Sequence, residues 1–204
     1  MAAGKLHRRE VAAALLKDAT DDLLVVAGLG GSAGDVTAVE DRALNLPLLG
    51  GMGGAVMTGL GLALAQPRKR VLVVTGDGDL LMGLGSLATV AAQRPANLAI
   101  VVMDNEKFAE TGNQATHTAP PHLGPTERGA GADFTAVALG AGIADSATID
   151  DPGQIAQLVR DALAKAGPVF RNVKVLAEPL PLVLPPMEGS VLKDRFRRAL
   201  LGRP

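Results

Sequence analysis

The 204 residues contain no cysteine. That absence excludes disulfides, thiolate metal sites, cysteine-ligated iron–sulfur clusters and cysteine nucleophiles, and it fits a cytoplasmic setting. Neither sign of charge dominates: Lys and Arg number 20, Asp and Glu 21, and the net charge is −1. Such a balance gives no footing for nucleic acid or an anionic membrane surface, so the scattered charges read as a solvated surface. The opening residues, MAAGKLHRREVAAALL, lack an apolar signal core and reach Arg8, Arg9 and Glu10 early. The longest uncharged stretch runs from residue 43 to 67 and contains Asn45 and Pro47. Its helix-like part, about 53–65, is shorter than the roughly 20 residues that a membrane span needs. No internal repeat and no low-complexity tract occur.

What is present is a 48% hydrophobic chain, enough for a sizeable core. The length suits one domain over 1–204, with 179–204 as a C-terminal extension and helix. Residues 23–27, 71–75 and 98–103 are short continuous apolar runs, the pattern of parallel strands buried on both faces. Further strands are predicted over 147–149 and 169–176. Helices are predicted over 7–19, about 53–65, about 80–93, 134–139, 151–166 and 188–201. In the first, Val11, Leu15 and Leu16 share one face and charges take the other. Strands alternating with helices predict an α/β, three-layer sandwich, a parallel sheet flanked by helices. Residues 28–35, GLGGSAGD, read as a loop, and 179–186 as a proline-interrupted crossover. The stretch from Asp104 to about Gly131 is polar and rich in Gly and Pro, and the loop from Lys107 to Gly131 within it is predicted to be mobile or poorly ordered without cofactor and to close over substrate.

The chemistry is carried by Gly76-Asp77-Gly78, placed directly after an apolar strand. Twenty-five residues, 79–103, separate it from Asp104-Asn105, which also follows a strand. In open α/β sheets, ligands bind outside the carboxyl ends of the strands. Two neighbouring strand ends would bring Asp77 and Asn105 to one metal. Mg²⁺ takes oxygen ligands and few protein carboxylates. Asp77 offers a carboxylate oxygen, Asn105 an amide oxygen, and Lys107 a backbone carbonyl. Gly76 and Gly78 let the backbone approach a phosphate closely. A helix starting near Asp79 would aim its free N–H groups at the same anion.

This pattern resembles the diphosphate-binding domain of thiamine-diphosphate enzymes, whose signature is GDG followed after a similar interval by an Asn-containing pair. That pair is usually Asn-Asn; here it is Asp104-Asn105, with the second position retained. The resemblance spans about residues 20–178. It implies the cofactors thiamine diphosphate and Mg²⁺. The stretch GGMGGAVMTGLGLALA, residues 50–65, resembles the family's segment upstream of GDG. By that likeness Met52 is the hydrophobic wedge between the cofactor's two rings, and the Gly50 carbonyl accepts from its pyrimidine amino group. Gly30-Gly31-Ser32 resembles the turn that touches the terminal phosphate.

Within the family, GDGDLLMGLGSLAT and DNEKFAETGNQATHT are similar to the beta subunit of sulfopyruvate decarboxylase and to phosphonopyruvate decarboxylases. The usual Tyr-Gly after the Asn pair is replaced by Lys107-Phe108. The likeness implies a lyase, a decarboxylase of a small 2-oxo acid with an anionic head. Thr hydroxyls and amides of the loop would serve the substrate, and His117 would donate a proton. His7 and His122 have no such part. Thiamine enzymes also need a pyrimidine-binding domain that supplies a glutamate to the cofactor, and one domain consumes this whole length. The expected partner is therefore a pyrimidine-binding (alpha) subunit in a hetero-oligomer. The alternatives are a subunit of a thiamine-dependent carboligase of the acetolactate synthase type and a non-catalytic partner-binding domain.

Overall fold

The computed structural model describes residues 6–119 and 131–203. A six-stranded, all-parallel sheet lies at the centre. In chain order its strands are β1 (Leu23–Ala27), β2 (Asn45–Pro47), β3 (Arg70–Gly76), β4 (Leu98–Asp104), β7 (Asp145–Ile149) and β8 (Val169–Lys174). In space they run β2-β1-β3-β4-β8-β7. A small antiparallel ribbon, β5 (Lys107–Phe108) and β6 (Gln114–Ala115), projects beyond the end of β4. The chain first steps outward from β1 to β2, then returns to lay β3 on the other side of β1. That reversal is the switch point at which open α/β sheets open a ligand crevice.

The stretches 23–27, 71–74 and 98–103 of β1, β3 and β4 are continuously apolar because both faces are covered. Leu23, Val25 and Ala27 of β1, with Leu72 and Val74 of β3, belong to one core. Leu24, Val26, Val71 and Val73 belong to the other. Successive side chains of a strand alternate between faces, so each strand feeds both layers. The first layer is closed by α1 (Arg8–Leu16), α2 (Gly31–Val39) and α7 (Ile155–Ala164). The second is closed by α3 (Ala55–Ala65), α4 (Asp77–Met82), α5 (Ser86–Gln93) and α6 (Phe134–Ala141). Helix α8 (Gly189–Leu201) folds back to insert Phe196 into this second core, and Arg195 makes two bonds of 2.8 Å to Asp41.

The three-layer sandwich is as the sequence predicts, with four local differences. Residues 28–35 are not all loop, because the chain turns helical at Gly31. Asp35 draws α2 toward α1 by bonds to Arg8 (3.2 Å) and Arg9 (2.9 Å), and Ala33 and Val36 join the core. The helix expected over 80–93 is two helices broken at Gly83–Gly85 and starts at Asp77. A Cβ on Gly83 would lie 2.1 Å from the Gly53 carbonyl oxygen, so the chain must thread backbone against backbone there. Strand β2, three residues ending in proline, is too short for periodicity to reveal. Finally, residues 107–116, taken as part of a loop, hold the β5–β6 ribbon; 120–130, including His122, lie outside the described residues. Among the described residues no helix is long and apolar enough to cross a membrane.

Candidate functional site

The carboxyl ends of β1, β3 and β4 open onto a cleft of about 190 Å³. Gly76 pairs with Met103 across β3 and β4, so Asp77 and the Asp104-Asn105 pair leave the sheet side by side. Met52, Gly31, Ser32, Gly76, Gly78, Asp79 and Lys107 also line the cleft. Asp77 is 2% exposed. Its Oδ2 accepts from Thr116 Oγ1 at 2.5 Å and from Thr118 Oγ1 at 3.2 Å. Thr118 also lies 2.8 Å from Thr116 and 2.9 Å from Asp104 Oδ1. Two hydroxyl protons thus serve four oxygen–oxygen contacts, and the cluster is rich in acceptors. Burial pushes the Asp77 pKa up; the Thr116 bond opposes the shift and the charge of Asp104 adds to it.

Asp104, the departure from Asn-Asn, has its own counter-charge. Its Oδ2 accepts from Lys174 Nζ at 2.7 Å and from Asn172 Nδ2 at 3.1 Å, both on β8. Lys174 also bonds Glu106 at 3.0 Å. Burial alone would lower the Lys174 pKa, but the bonds and charges of Asp104 and Glu106 outweigh it and the net shift is upward. The Asn105 amide oxygen accepts from the Lys107 N–H at 2.9 Å, a turn that points both residues at the head of β5. The donor set on offer is one carboxylate, one amide oxygen and one backbone carbonyl. Among the described residues no cluster of three His, Cys, Asp or Glu could hold a metal unaided. An all-oxygen set with one carboxylate suits Mg²⁺ that also takes phosphate and water, and suits zinc or a softer metal poorly.

The glycine-rich segment before α3 is pinned to this site by Asp79. Asp79 is buried, and its Oδ1 accepts from the Gly53 N–H at 2.5 Å while Thr75 donates to Oδ2. A Cβ on Gly28 would fall 2.3 Å from the same Oδ2. Asp79 therefore ties the end of β3 to the loop that carries Met52, and packs against Gly28 just past β1. Gly51 and Gly53 take positive φ angles (69° and 91°), which only glycine adopts without strain. Met52 is 38% exposed at the rim. A Cβ on Gly78 would meet the Phe108 ring at 2.5 Å and Met52 Cε at 3.4 Å, so Gly78 is the floor beneath these two side chains. Gly50 has open space around it.

Not every expected residue converges on the cleft. Thr116 and Thr118, read as substrate-facing hydroxyls, are buried and turned toward Asp77 and Asp104. His117 between them is exposed and is not among the cleft's described lining residues. Sequence reading missed Arg8. It was placed on the charged, outward face of the first helix, yet it reaches into the cleft beside Gly31. The Arg8–Asp35 contact joins residues 27 positions apart, and no local spacing reveals it.

Comparison with known proteins places this geometry. The family model described as "Thiamine pyrophosphate enzyme, C-terminal TPP binding domain" matches residues 32–173. Sulfopyruvate decarboxylase subunit beta of Methanothermobacter thermautotrophicus is 35% identical over 182 residues, 89% of this chain and 89% of that protein. Phosphonopyruvate decarboxylase of Streptomyces viridochromogenes is 34% identical over 191 residues, 93% of this chain but 45% of that protein. A solved structure of a candidate thiamin diphosphate-dependent enzyme from Mycobacterium smegmatis superposes with a TM-score of 0.67 at 21% identity, covering 86% of this chain and 33% of that one. That last likeness speaks to the fold.

Proposed function

The chain belongs to the thiamine pyrophosphate enzyme C-terminal, TPP-binding domain family, and from that premise we propose that it is the diphosphate-binding subunit of a thiamine-diphosphate-dependent 2-oxo acid decarboxylase. In this reading it works with a pyrimidine-binding partner subunit on a small 2-oxo acid with an anionic head. The observation that carries it is the side-by-side exit of Asp77 and Asn105 from β3 and β4 at the sheet's switch point. Two decarboxylase relatives, one named a beta subunit and matched over nearly its full length, support the reaction class and the need for a partner.

Asp77, Asn105 and the Lys107 carbonyl would hold Mg²⁺, and the metal would hold the diphosphate. Gly31, Ser32, Gly76 and Gly78 would give the phosphates backbone access, while Asp79 keeps the Met52 loop in place. Met52 would support the bent cofactor and the Gly50 carbonyl would meet its pyrimidine amino group. When bound, the cofactor supplies the nucleophilic carbon and the electron sink for loss of CO₂. The whole chain would act as one domain, with 179–204 strapped across its surface.

The test is reconstitution. The chain, its partner subunit, Mg²⁺ and thiamine diphosphate are mixed, and CO₂ release from sulfopyruvate, phosphonopyruvate and pyruvate is compared. Release from an anionic-headed substrate is the expected result. Acetolactate formation from pyruvate instead would favour the carboligase reading, and no thiamine diphosphate binding by the mixture would sink both. In the same assay His117→Ala should lower turnover while leaving cofactor affinity within about twofold; unchanged kinetics would remove His117 from the mechanism.

A further inference from the structure

Arg8 and Lys107 are the two cations among the described residues that line the cleft, against the carboxylates of Asp35, Asp77, Asp79 and Glu110. A Mg²⁺ ion can offset Asp77, and Asp79 is engaged by Thr75 and Gly53. A diphosphate carries more negative charge than one such metal neutralises, so a second cation is needed near its far end. Lys107 stands at the β4 end, beside Asn105. Arg8 stands at the other end, beside the first turn of α2.

The guanidinium of Arg8 is fixed there by the fold. Its side chain is 15% exposed, and Nη1 lies 3.2 Å from Asp35 Oδ2. Nη1 presses on Gly31, where a Cβ would come within 2.2 Å of it. Asp35 does not neutralise it alone, because Arg9 bonds the same carboxylate at 2.9 Å. The Asp35 carboxylate is thus shared between two guanidinium groups, and Glu178 is the other carboxylate close enough to act on it. Moreover, Arg8 Nε is buried and has no hydrogen-bond partner. A buried, unpaired donor on a charged group is costly unless a ligand completes it. On the far side of the same turn, the Glu110 carboxylate lies 3.2 Å from where a Cβ of Gly30 would be. The α2 turn is thus flanked by an anchored guanidinium and by the Glu110 carboxylate, which sits on the short turn between β5 and β6.

We infer that Arg8, contributed by the first helix, is a ligand of the terminal phosphate of the cofactor, an oxyanion seated in the cleft against both its guanidinium and the adjoining turn at Gly30–Ser32. This rests on the diphosphate-site reading above. It adds a residue outside the strand ends and makes α1 part of the binding machinery. The guanidinium matches a tetrahedral oxyanion with paired N–H donors, which lysine cannot reproduce.

Calorimetric titration of the full chain together with its partner subunit in saturating Mg²⁺ tests it, with thiamine diphosphate and thiamine monophosphate as the two probes. Arg8→Gln should weaken thiamine diphosphate binding by about tenfold or more, the scale of a lost charge-assisted bond. Thiamine monophosphate, which lacks the terminal phosphate, should change by less than about twofold. Arg8→Lys should lie between. Arg9→Gln is the control for a purely structural part, since it also unloads Asp35 but is not among the cleft's described lining residues; it should leave thiamine diphosphate affinity within about twofold. Equal losses for Arg8→Gln and Arg9→Gln, or for both probes, would overturn the assignment. So would intact thiamine diphosphate binding with a raised KM for an anionic-headed 2-oxo acid, which would give Arg8 to the substrate instead. Failure of the unmodified chain to bind either probe even with its partner subunit present would reject the diphosphate site itself, a result distinct from failure of the Arg8 variant alone.

Discussion

A buried carboxylate beside a second carboxylate is expensive to keep ionised before a cation arrives, even with two threonine hydroxyls donating to it. Asp77 is in that position, and its pKa is raised chiefly by burial. Because the folded value exceeds the unfolded one, ionised Asp77 costs stability at all pH values above the folded pKa. Asp77→Asn should therefore raise the melting temperature of the ligand-free chain at neutral pH. The gain should shrink as pH falls through the folded pKa toward the ordinary carboxylate value, where both side chains are neutral. Each kcal/mol released corresponds to roughly 2–4 °C in a domain of this size. The same variant should lose Mg²⁺-dependent thiamine diphosphate binding. Thermal melts across pH, paired with titrations, check both halves; a destabilised variant would mean that Asp77 is structural. Met52 is the converse, a rim side chain with little of the core's weight. Met52→Ala should leave the melting temperature nearly unchanged and lower turnover roughly tenfold to a hundredfold, since small misplacements at a reacting centre are that costly. At this scale GDG and Asp104-Asn105 were readable because the chemistry demands those residue types next to strand ends. Arg8 was not, because an arginine on an amphipathic helix has the same pattern whether it faces water or a cleft.

Among the elements, the helix α3 shows how little of packing a sequence displays. It holds two glycines, Gly59 and Gly61, that are indistinguishable by composition. Gly59 faces the sheet, and a Cβ there would lie 2.2 Å from Val73 Cγ2. Gly61 has nothing within 4 Å. Gly59→Ala should destabilise by about 1–3 kcal/mol through overpacking. Gly61→Ala should stabilise by up to about 1 kcal/mol through helix propensity. Urea denaturation of the two variants should shift the midpoints in opposite directions, and a shared direction would mean that α3 is misoriented. Strands β1, β3 and β4 were legible as continuous apolar runs because both of their faces are buried. The helix break at Gly83–Gly85 was not, since the Gly53 carbonyl that forces it lies some thirty residues earlier. The start of α2 was hidden for a related reason. Gly-Gly-Ser-Ala-Gly is a poor helix former, and the bonds from Arg8 and Arg9 to Asp35 hold it helical from outside.

For the molecule as a whole, the decisive feature is what its cleft lacks. Cofactor activation in the family needs a glutamate against the pyrimidine ring, which the resemblance assigns to a separate domain. Asp77 and Asp104 are held by Thr116, Thr118 and Lys174, and Asp79 by Thr75 and Gly53. Glu106 is held by Lys174, and Glu110 lies at the α2 turn, on the diphosphate side. Among the described residues nothing lies within 4 Å of where a Cβ of Gly50 would be, the side on which the pyrimidine is expected. A second copy of this chain would bring another diphosphate site and no pyrimidine site. The surface beside the cleft is consistent with a missing neighbour. Met52, Met57, Leu64 and Met82 are 38–67% exposed on the rim, α3 and α4, and α3 carries no charged residue. An apolar face of this kind marks a partner site. The purified chain should accordingly show no 2-oxo acid decarboxylation at any thiamine diphosphate concentration, and activity should appear on adding the pyrimidine-binding subunit. Light-scattering masses should show a heteromeric complex holding equal numbers of both chains. Replacing Met57 and Leu64 together with Lys should block that complex while leaving the lone chain folded by circular dichroism. Sustained CO₂ release by the lone chain would overturn the requirement for a partner, and an undiminished complex in the Met57/Leu64 variant would move the interface off α3.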